Sequence, residues 1–327
     1  MRRHRPIIIV LVVVIVGVLA WLTLRRGETQ KSQHIVVGIG TFSEAIDYGP
    51  VYVARHFRWF EEALQAAGLP DKVQYFELGG FDEIQTAFAQ GKLHAFFSAE
   101  APAIKLRSEN QDIRVVEVGC TLQQEVLVRT QLNITSISQL KGKSIAVAEG
   151  TSSHYGLLKI LSTAGLSGKD IKLRPGFPGD VKPLFESGAV DAWAVWPPFV
   201  EEQVIAKHGY TLPGGDAKIQ SVMSLHNSLI EQRPAVAQAL VSAIQKAKKW
   251  MAANPDEAQS IVAKSLKLPS EVVHLAWPKH NWSATLTDDV LVDMEDKSQF
   301  LTRQGVVRNG IVVDIRKELV DTRYLNK

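Results

Sequence analysis

Apolar and polar positions divide the chain into three regions with different spacing. An uninterrupted apolar run occupies residues 7–24, short β-branched runs alternate with helically spaced segments over residues 35–195, and amphipathic helical spacing follows Gly209. Strands that alternate with helices are typical of a largely parallel sheet covered by helices. The pattern therefore predicts an α/β protein with a helical C-terminal part.

The alternating region contains two segments with the same order of elements. Each is predicted to contain three strands and two helices, with strands at 35–40, 73–78, 93–97, 144–148, 171–174 and 190–195 and helices at 51–66, 81–90, 154–164 and 180–187. In each segment the second helix ends at a glycine, Gly91 or Gly188, before a strand. We infer two similar lobes that face each other across a cleft, with chance similarity as the alternative. Loops at the carboxyl ends of the strands would then border the ligand, as in open α/β sheets.

Three amphipathic helices are predicted in the C-terminal part, over residues 234–254, 255–266 and 288–304. Apolar residues recur there at spacings of three and four, and Pro or Gly stands at the borders. Lys246, Lys248 and Lys249 form a basic cluster, but acidic residues are scattered through the same region. This mixture favours a solvated helix face over a surface that binds nucleic acid.

The apolar run at residues 7–24 carries no charge and is bracketed by three arginines before it and two after it. As a helix it would be about 27 Å long, close to the roughly 30 Å hydrocarbon core of a membrane. It is therefore predicted to be an export signal, and an uncleaved anchor is favoured over cleavage at Ala20 because apolar residues continue to Leu24. The denser arginine cluster precedes the run, which predicts a cytoplasmic N-terminus and an extracytoplasmic body. Arg2 and Arg3 lack the rest of a twin-arginine signal.

The net charge of the chain resides in this leader. The 327 residues include 37 Lys and Arg against 34 Asp and Glu, a formal charge of +3. Five of the basic residues and one acidic residue precede Lys31, so the remaining body is close to neutral and slightly acidic. With 46% hydrophobic and 22% charged residues, the chain has the composition of a globular protein, which excludes intrinsic disorder.

Local motifs for metal binding, nucleotide binding or covalent catalysis are missing from the sequence. Cys120 is the only cysteine, so the chain forms no internal disulfide and has no lipid attachment site after the apolar run, and this residue is predicted to be buried. The nine histidines do not stand at metal-ligand spacings. Gly142, Lys143 and Ser144 match only the end of a phosphate-binding loop, and no nucleophile elbow is present. No metal and no cofactor are therefore predicted.

The most informative stretch is the loop Glu-Gly-Thr-Ser-Ser-His at residues 149–154, between a predicted strand and a predicted helix. The first N–H groups of a helix have no partners within it, and the positive end of the helix dipole lies there. Together with the hydroxyls of Thr151, Ser152 and Ser153, these groups suit a sulfonate, a carboxylate or nitrate. An ordinary N-cap formed by Thr151 or Ser152 is the alternative.

The sequence resembles the solute-binding proteins of ABC importers for aliphatic sulfonates, taurine and nitrate, together with thiamine-precursor binders. The resemblance extends from residue 35 to about 305, and four stretches carry it: Thr-Phe-Ser-Glu at 41–44, Leu-Lys-Gly-Lys at 140–143, Gly-Thr-Ser-Ser-His-Tyr at 150–155, and the segment from Gly188 to Val-Trp-Pro-Pro at 195–198. It implies a type II, two-lobed periplasmic-binding-protein fold. Each lobe would be a βα sheet with the ligand cleft between the lobes, preceded here by an N-terminal membrane helix.

The resemblance also implies domain boundaries. These are a membrane segment and linker at 1–30, lobe I at 31–125, lobe II at 126–218, and the return of lobe I at 219–327. Hinge crossings are expected near residues 124–128 and 219–225. The C-terminal helices would then pack on lobe I.

The implied ligand-binding set comes from loops of both lobes: Thr41, Ser43, Glu44, Ser98, Glu100, Thr151, Ser152, Ser153, His154 and Trp196. The three hydroxyls at 151–153 would hold an anionic head group with Ser98 opposite, and Trp196 would cover the apolar stem. Glu44 and Glu100 would receive the ammonium group of a zwitterion, or select an amine-bearing ligand. His154 would cap or pack.

The resulting expectation is a periplasmic solute-binding component of an ABC importer, anchored to the cell membrane. It would close on a small anion or zwitterion such as a sulfonate, taurine or nitrate and deliver it to the permease. It would be no enzyme and would bind no nucleic acid. A membrane-tethered sensor module is one alternative. An enzyme on the same fold is another, although the Cys-rich, His-dependent chemistry of related pyrimidine synthases has little counterpart in a chain with one cysteine.

Overall fold

The computed structural model describes residues 36–42, 45–69, 72–78, 81–307, 310–321 and 323. The predicted membrane segment at residues 7–24, its linker, and the candidate ligand residues Ser43 and Glu44 lie outside these ranges. Within them, none of the helices combines the length and the apolar character needed to cross a membrane.

The described residues contain nine strands, which join in one mixed sheet. The strands are β1 (Val36–Phe42), β2 (Lys72–Leu78), β3 (Ala95–Ala99), β4 (Ile113–Arg129), β5 (Ser144–Val147), β6 (Lys172–Pro175), β7 (Ala192–Val195), β8 (Gly209–His226) and β9 (His280–Asn281). The helices are α1 (Gly49–His56), α2 (Trp59–Ala66), α3 (Phe81–Ala89), α4 (Glu100–Ser108), α5 (Ser152–Ser162), α6 (Pro178–Ser187), α7 (Phe199–Ile205), α8 (Asn227–Gln232), α9 (Pro234–Ala253), α10 (Pro255–Leu266), α11 (Ser270–Ala276) and α12 (Asp288–Arg303).

The two halves of the sheet share one strand arrangement, as the repeat in the sequence predicted. The overall order is β2-β1-β3-β8-β4-β7-β5-β6, with β9 paired to β4. In one half β1 is parallel to both β2 and β3, and in the other β5 is parallel to both β6 and β7. Gly91 and Gly188 stand in the left-handed region, at φ +62° and +84°, where glycine is the residue best suited to end a helix.

The two halves are joined by β4 and β8, which are long and antiparallel to each other. The expectation of mostly helical structure beyond Gly209 was therefore wrong for residues 209–226. The sequence Leu-Pro-Gly-Gly at 212–215 is typical of a turn, and it stands where the pairing with β4 shifts register, between Glu125 and Leu127. The segments expected to act as hinges, 124–128 and 219–225, lie within these two strands.

The single helix predicted over residues 51–66 is two helices, because the chain turns between α1 and α2. Arg58 adopts a left-handed conformation with φ +58°. Phe57 stacks on Trp59 at 4.8 Å between ring centroids and meets the edge of Trp250 at the same distance. This aromatic contact with α9 comes from distant sequence, so local helical spacing could not predict it.

Alternate residues of the strands in the second half pack against helices on opposite faces. Val126, Ile145 and Val147 lie in a buried cluster with apolar residues of α5. Leu127 and Ala146 belong to another cluster, with residues of α6 and α7. This strand periodicity fixes α5 on one face and places its N-terminus at the carboxyl edge of β5.

Candidate functional site

The loop between β5 and α5 is held by its own side chains. Thr151 is the N-cap, and its hydroxyl accepts hydrogen bonds from the N–H groups of Ser153 and His154 at 3.2 and 3.4 Å. The same hydroxyl donates to the carbonyl of Ala148 at 2.6 Å. The Gly150 N–H donates to His154 Nδ1 at 3.2 Å, which requires that nitrogen to be unprotonated. Burial also lowers the pKa of His154, so its ring is neutral and helps to shape the loop.

Ser152 and Ser153 begin α5 and are both buried. Ser153 donates to the carbonyl of Ala194 at 3.2 Å, and its own carbonyl accepts from Gln124 Nε2 at 3.0 Å. Ser152 Oγ accepts from the N–H of Ala101 at 3.3 Å. The N–H of Ser152 makes no hydrogen bond to another described residue.

The contact between Ala101 and Ser152 brings two helix N-termini together. Ala101 is the second residue of α4, and Ser152 is the first residue of α5. Each helix directs the positive end of its dipole and its unpaired N–H groups toward this point. Two converging positive ends repel each other, and an anion placed between them would relieve that repulsion.

Glu100, the first residue of α4, is fully buried beside this point. Its Oε2 accepts from the N–H of Gln220 at 3.1 Å, and its Oε1 is bonded to the ammonium of Lys297. Lys297 is equally buried and also binds Asp293 Oδ2 at 2.6 Å. Burial by itself lowers the pKa of Lys297, but the carboxylates of Glu100 and Asp293 outweigh it and raise that pKa. Lys297 is therefore a charged ammonium that neutralises Glu100.

Thr41 and Ser98 lie at the carboxyl ends of the neighbouring strands β1 and β3, and both are buried. The Thr41 hydroxyl bonds with the Tyr52 side chain, and Ser98 donates to the carbonyl of Ala99 at 2.8 Å. Asp47 is buried in the turn after β1. Burial, with a smaller contribution from the nearby Glu100 carboxylate, raises the pKa of Asp47 to about 6.

Trp196 follows β7 and is half-buried. Its ring meets the edge of Phe199 at 6.3 Å and packs against the buried cluster beneath α6 and α7. Its indole is thus held against this cluster and stays partly exposed, and an indole offers a large apolar surface to an alkyl stem.

The NMT1/THI5-like family profile matches residues 46–258. The chain belongs to the NMT1/THI5-like family. This confirms the resemblance found in the sequence.

Individual proteins resemble this chain in sequence or in fold over most of its length. A Bacillus subtilis (strain 168) protein, provisionally named as an aliphatic sulfonates-binding protein, is 25% identical over 312 residues, 92% of this chain and 90% of its own length. The periplasmic aliphatic sulphonate binding protein SsuA from Escherichia coli superposes with a TM-score of 0.75 at 21% identity, covering 90% of this chain and 95% of that protein. The desulfurization enzyme DszB superposes with a TM-score of 0.59 at 20% identity, covering 88% of this chain and 97% of the enzyme. The fold is the α/β periplasmic-binding-protein fold, as predicted.

Of the ten residues proposed for the site of this NMT1/THI5-like protein, the structure brings several together. Ser152 touches α4 directly after Glu100, and Ser153 touches Ala194, two residues before Trp196. Thr41 and Ser98 lie on neighbouring strands that end at the same edge. Thr151 and His154 shape the loop, while Ser43 and Glu44 lie outside the described residues.

Sequence reasoning missed three polar residues of this site: Asp47, Gln124 and Lys297. The signal for Lys297 was present, because it lies on the face of α12 that Met294 and Leu301 bury. A lysine within an apolar helical stripe indicates a buried ion pair. The sequence around Asp47 and Gln124 gives no comparable signal, because contacts with distant segments place each of them in the site.

A separate cleft of about 920 Å³ lies beside α5, next to β8 and the start of α12. Its lining includes Tyr155, Lys159, Lys218 and Asp293, and none of the ten proposed residues. No group of His, Cys, Asp and Glu in the described part of the chain could hold a metal ion.

Proposed function

We propose that this protein is the extracytoplasmic solute-binding component of an ABC importer and that it binds a small sulfonate-type anion. The observation that carries the proposal is the meeting of the α4 and α5 N-termini at Ala101 and Ser152. Membership of the NMT1/THI5-like family and the SsuA-like fold support it.

The chemistry of the site suits a permanent, weakly basic anion. The groups proposed to bind the anion are backbone N–H groups and hydroxyls, and the nearby cation Lys297 is already paired with Glu100. Each helix end stabilises a nearby negative charge by about 0.3–1 kcal/mol, and more where the charge is partly buried. A sulfonate presents three oxygens to such donors and needs no bidentate partner.

Binding exchanges an internal contact for contacts with the ligand. The Ala101 N–H and the Ser152 hydroxyl exchange their mutual hydrogen bond for hydrogen bonds to the sulfonate oxygens. The unpaired N–H of Ser152 donates to the sulfonate as well. Ser98 and Thr41 line the floor in this proposal. Trp196 covers the alkyl stem, while Thr151, Ser153 and His154 keep the loop in shape.

Closure of two lobes completes the binding site in this proposal. Lobe I comprises residues 31–125 and 219–327, lobe II comprises residues 126–218, and β4 and β8 form the crossings between them. Lys159 of α5 pairs with Asp293 of α12 at 3.7 Å, and Lys279 pairs with Glu201 of α7 at 2.6 Å. Both ion pairs then join lobe II to lobe I in the closed form.

Residues 7–24 hold the protein at the cell membrane beside its permease. The full chain is then recovered with membranes, and a chain that lacks residues 1–30 is recovered in the periplasmic extract. Recovery of both in the extract would contradict the anchor. Genes for a permease and an ATPase beside this gene would favour transport, and their absence would favour the alternative of a tethered sensor.

Calorimetry with simple sulfonates tests the proposed ligand class. Propane-1-sulfonate should bind, and at about a hundredfold excess over Kd it should raise the free energy of unfolding by about 2.7 kcal/mol. Ser152→Ala should weaken affinity about tenfold or more, because a hydrogen bond to a charged group contributes about 1.5 kcal/mol or more. Ser187→Ala, at the exposed end of α6, is the matched control. Absence of binding by both propane-1-sulfonate and taurine would refute the proposal.

An enzyme is the second candidate, because DszB shares the fold. Cys120 is buried and burial raises the pKa of its thiol, which disfavours a nucleophilic thiolate. Release of inorganic sulfite from a bound sulfonate or sulfinate would support the enzyme. Recovery of the bound compound unchanged after prolonged incubation would favour the binding protein.

A further inference from the structure

Glu100 forms a buried ion pair with a cation of the protein itself, Lys297. Its carboxylate is fully buried and receives the Lys297 ammonium on one oxygen and the Gln220 N–H on the other. Both oxygens of the carboxylate are thus occupied within the protein. The resemblance to solute-binding proteins implied instead that this carboxylate would receive the ammonium group of a ligand.

Lys297 is fixed by several contacts. Its ammonium also binds Asp293 Oδ2 at 2.6 Å and the Lys218 carbonyl at 3.3 Å, and it lies 5.4 Å from the centre of the Tyr155 ring. Its side chain is only 1% exposed. A ligand amine could replace this ammonium only if two carboxylates, Glu100 and Asp293, lost their cation, which is energetically costly.

We infer that Lys297 is a specificity-determining residue that excludes amine-bearing ligands. It occupies the place that an ammonium group would take beside Glu100. The inference rests on the proposed function, since it concerns the same site. The site accepts an anion with an uncharged stem, an alkanesulfonate, and discriminates against an aminoalkanesulfonate.

The physical basis is a combination of occupancy and repulsion. A ligand ammonium that approaches Glu100 loses its hydration, finds both carboxylate oxygens already bonded within the protein, and meets the positive charge of Lys297. The neighbouring Ala101 N–H belongs to the converging helix ends, which also favour negative charge. A methyl group at the same position loses no hydration shell of comparable strength.

Propane-1-sulfonate and taurine are the probes, because they differ chiefly by a methyl group in place of the ammonium. In calorimetric titrations of the full chain, taurine should bind with a Kd about tenfold higher or more than propane-1-sulfonate. Lys297→Met keeps the length of the side chain and removes the charge. This variant should reduce the ratio of the two Kd values to about threefold or invert it, because Glu100 then lacks a cation.

A double variant keeps the test decisive if Lys297→Met alone does not fold. Glu100→Gln combined with Lys297→Met removes both charges together, and it too should discriminate less against taurine because the repelling cation is gone. Lys249→Met, the same substitution at an exposed position of α9, should leave the ratio at the wild-type value.

The outcomes separate the two proposals. Wild-type binding of taurine as tight as that of propane-1-sulfonate would overturn the role of Lys297 and leave the sulfonate proposal standing. An unchanged ratio in the folded double variant would overturn it as well. Binding of neither probe would refute the proposed function on which the inference rests.

Discussion

At the residue scale, Asp47 is a carboxyl group that water cannot solvate. Burial raises its pKa to about 6 from 3.8, so the folded state holds the proton more tightly than the unfolded state. The stability contributed by this group is therefore full below about pH 4 and falls as the pH rises to about 6. The shift corresponds to about 3 kcal/mol over that window.

Asp47→Asn should abolish the pH dependence of stability that this carboxyl group causes. The difference in free energy of unfolding between variant and wild type should change by about 3 kcal/mol in favour of the variant from about pH 4 to about 6. Urea unfolding at intervals across this range measures it. Asp296→Asn, at an exposed position of α12, is the matched control for the exchange of a carboxylate for an amide. A constant difference for Asp47→Asn would show that its carboxyl is not buried as described.

His280 makes stability depend on pH with the opposite sign. Burial lowers its pKa from 6.5 to about 4, although its Nδ1 bonds with the Ala276 carbonyl at 2.9 Å. The folded state therefore binds the proton less tightly than the unfolded state. The stability from this residue is full above about pH 6.5 and is lost as the pH falls to about 4. Between about pH 4 and 6 the effects of Asp47 and His280 offset each other.

His280→Gln removes the titrating ring and keeps an N–H donor for Ala276. The acid-induced loss of about 3 kcal/mol should disappear, and the fall in stability with rising pH that Asp47 causes should then become visible. His274→Gln, at an exposed position of α11, is the matched control for the exchange of histidine for glutamine. A His280→Gln profile that matches that of wild type would contradict the lowered pKa.

Sequence reasoning at this scale found the hydroxyls of the α5 loop but not their partners. Residue types predict donors, since Thr151, Ser152 and Ser153 stand at a helix start. The N-cap that was considered as the alternative, at Thr151 or Ser152, is present at Thr151. The partner of Glu100 lies 197 residues away in the chain, on α12, and no local pattern joins the two. The charge that surrounds a predicted ligand residue therefore depends on packing, which residue types alone do not specify.

At the scale of elements, α5 packs closely on the crossing strands through a glycine. A Cβ added at Gly156 would lie 2.4 Å from Gln124 Nε2 and 2.9 Å from the Cβ of Ala217. The missing side chain allows α5 to approach β4 and β8 and places its N-terminus against α4.

Gly156→Ala tests this close approach. Alanine is favoured over glycine within a helix by about 1 kcal/mol, but overpacking costs about 1–3 kcal/mol, so the variant should lose stability and bind sulfonate more weakly. Thermal unfolding and calorimetry measure the two effects. Gly179→Ala in α6 is the matched control, because an added Cβ there meets nothing within 4 Å, and it should be neutral or stabilising. A gain in stability for Gly156→Ala would show that α5 is not so tightly packed.

The elements themselves were largely predictable, because strands and helices of the repeat carry their signals locally. The helix stops at Gly91 and Gly188 and the β-branched strands are visible in single segments. The break at Arg58 and the long strand β8 were not predictable in this way. Beside the first, Phe57 contacts Trp250 of α9, and the second contains a turn-like sequence within the strand that pairs with β4.

At the scale of the whole molecule, one buried lysine ties the C-terminal helices to the sheet. Lys248 of α9 bonds with Glu117 Oε1 at 3.0 Å and donates to the carbonyls of Val118 at 2.6 Å and Ala284 at 2.7 Å. It joins α9, β4 and the segment before α12, so the prediction of a solvated lysine cluster was wrong for this residue. The exposed Lys249 beside it fits that prediction.

Lys248→Met should therefore destabilise the molecule far more than its exposed neighbour does. It leaves the buried Glu117 carboxylate without its cation and two carbonyls without a donor, which should lower the free energy of unfolding by about 3–5 kcal/mol. Lys249→Met should change it by no more than about 0.5 kcal/mol. Glu117→Gln combined with Lys248→Met should lose less than Lys248→Met alone, since no charge is then stranded. Denaturant unfolding of wild type and the three variants measures these free energies. Equal losses of unfolding free energy in Lys248→Met and Lys249→Met would mean that Lys248 does not join the C-terminal helices to the sheet.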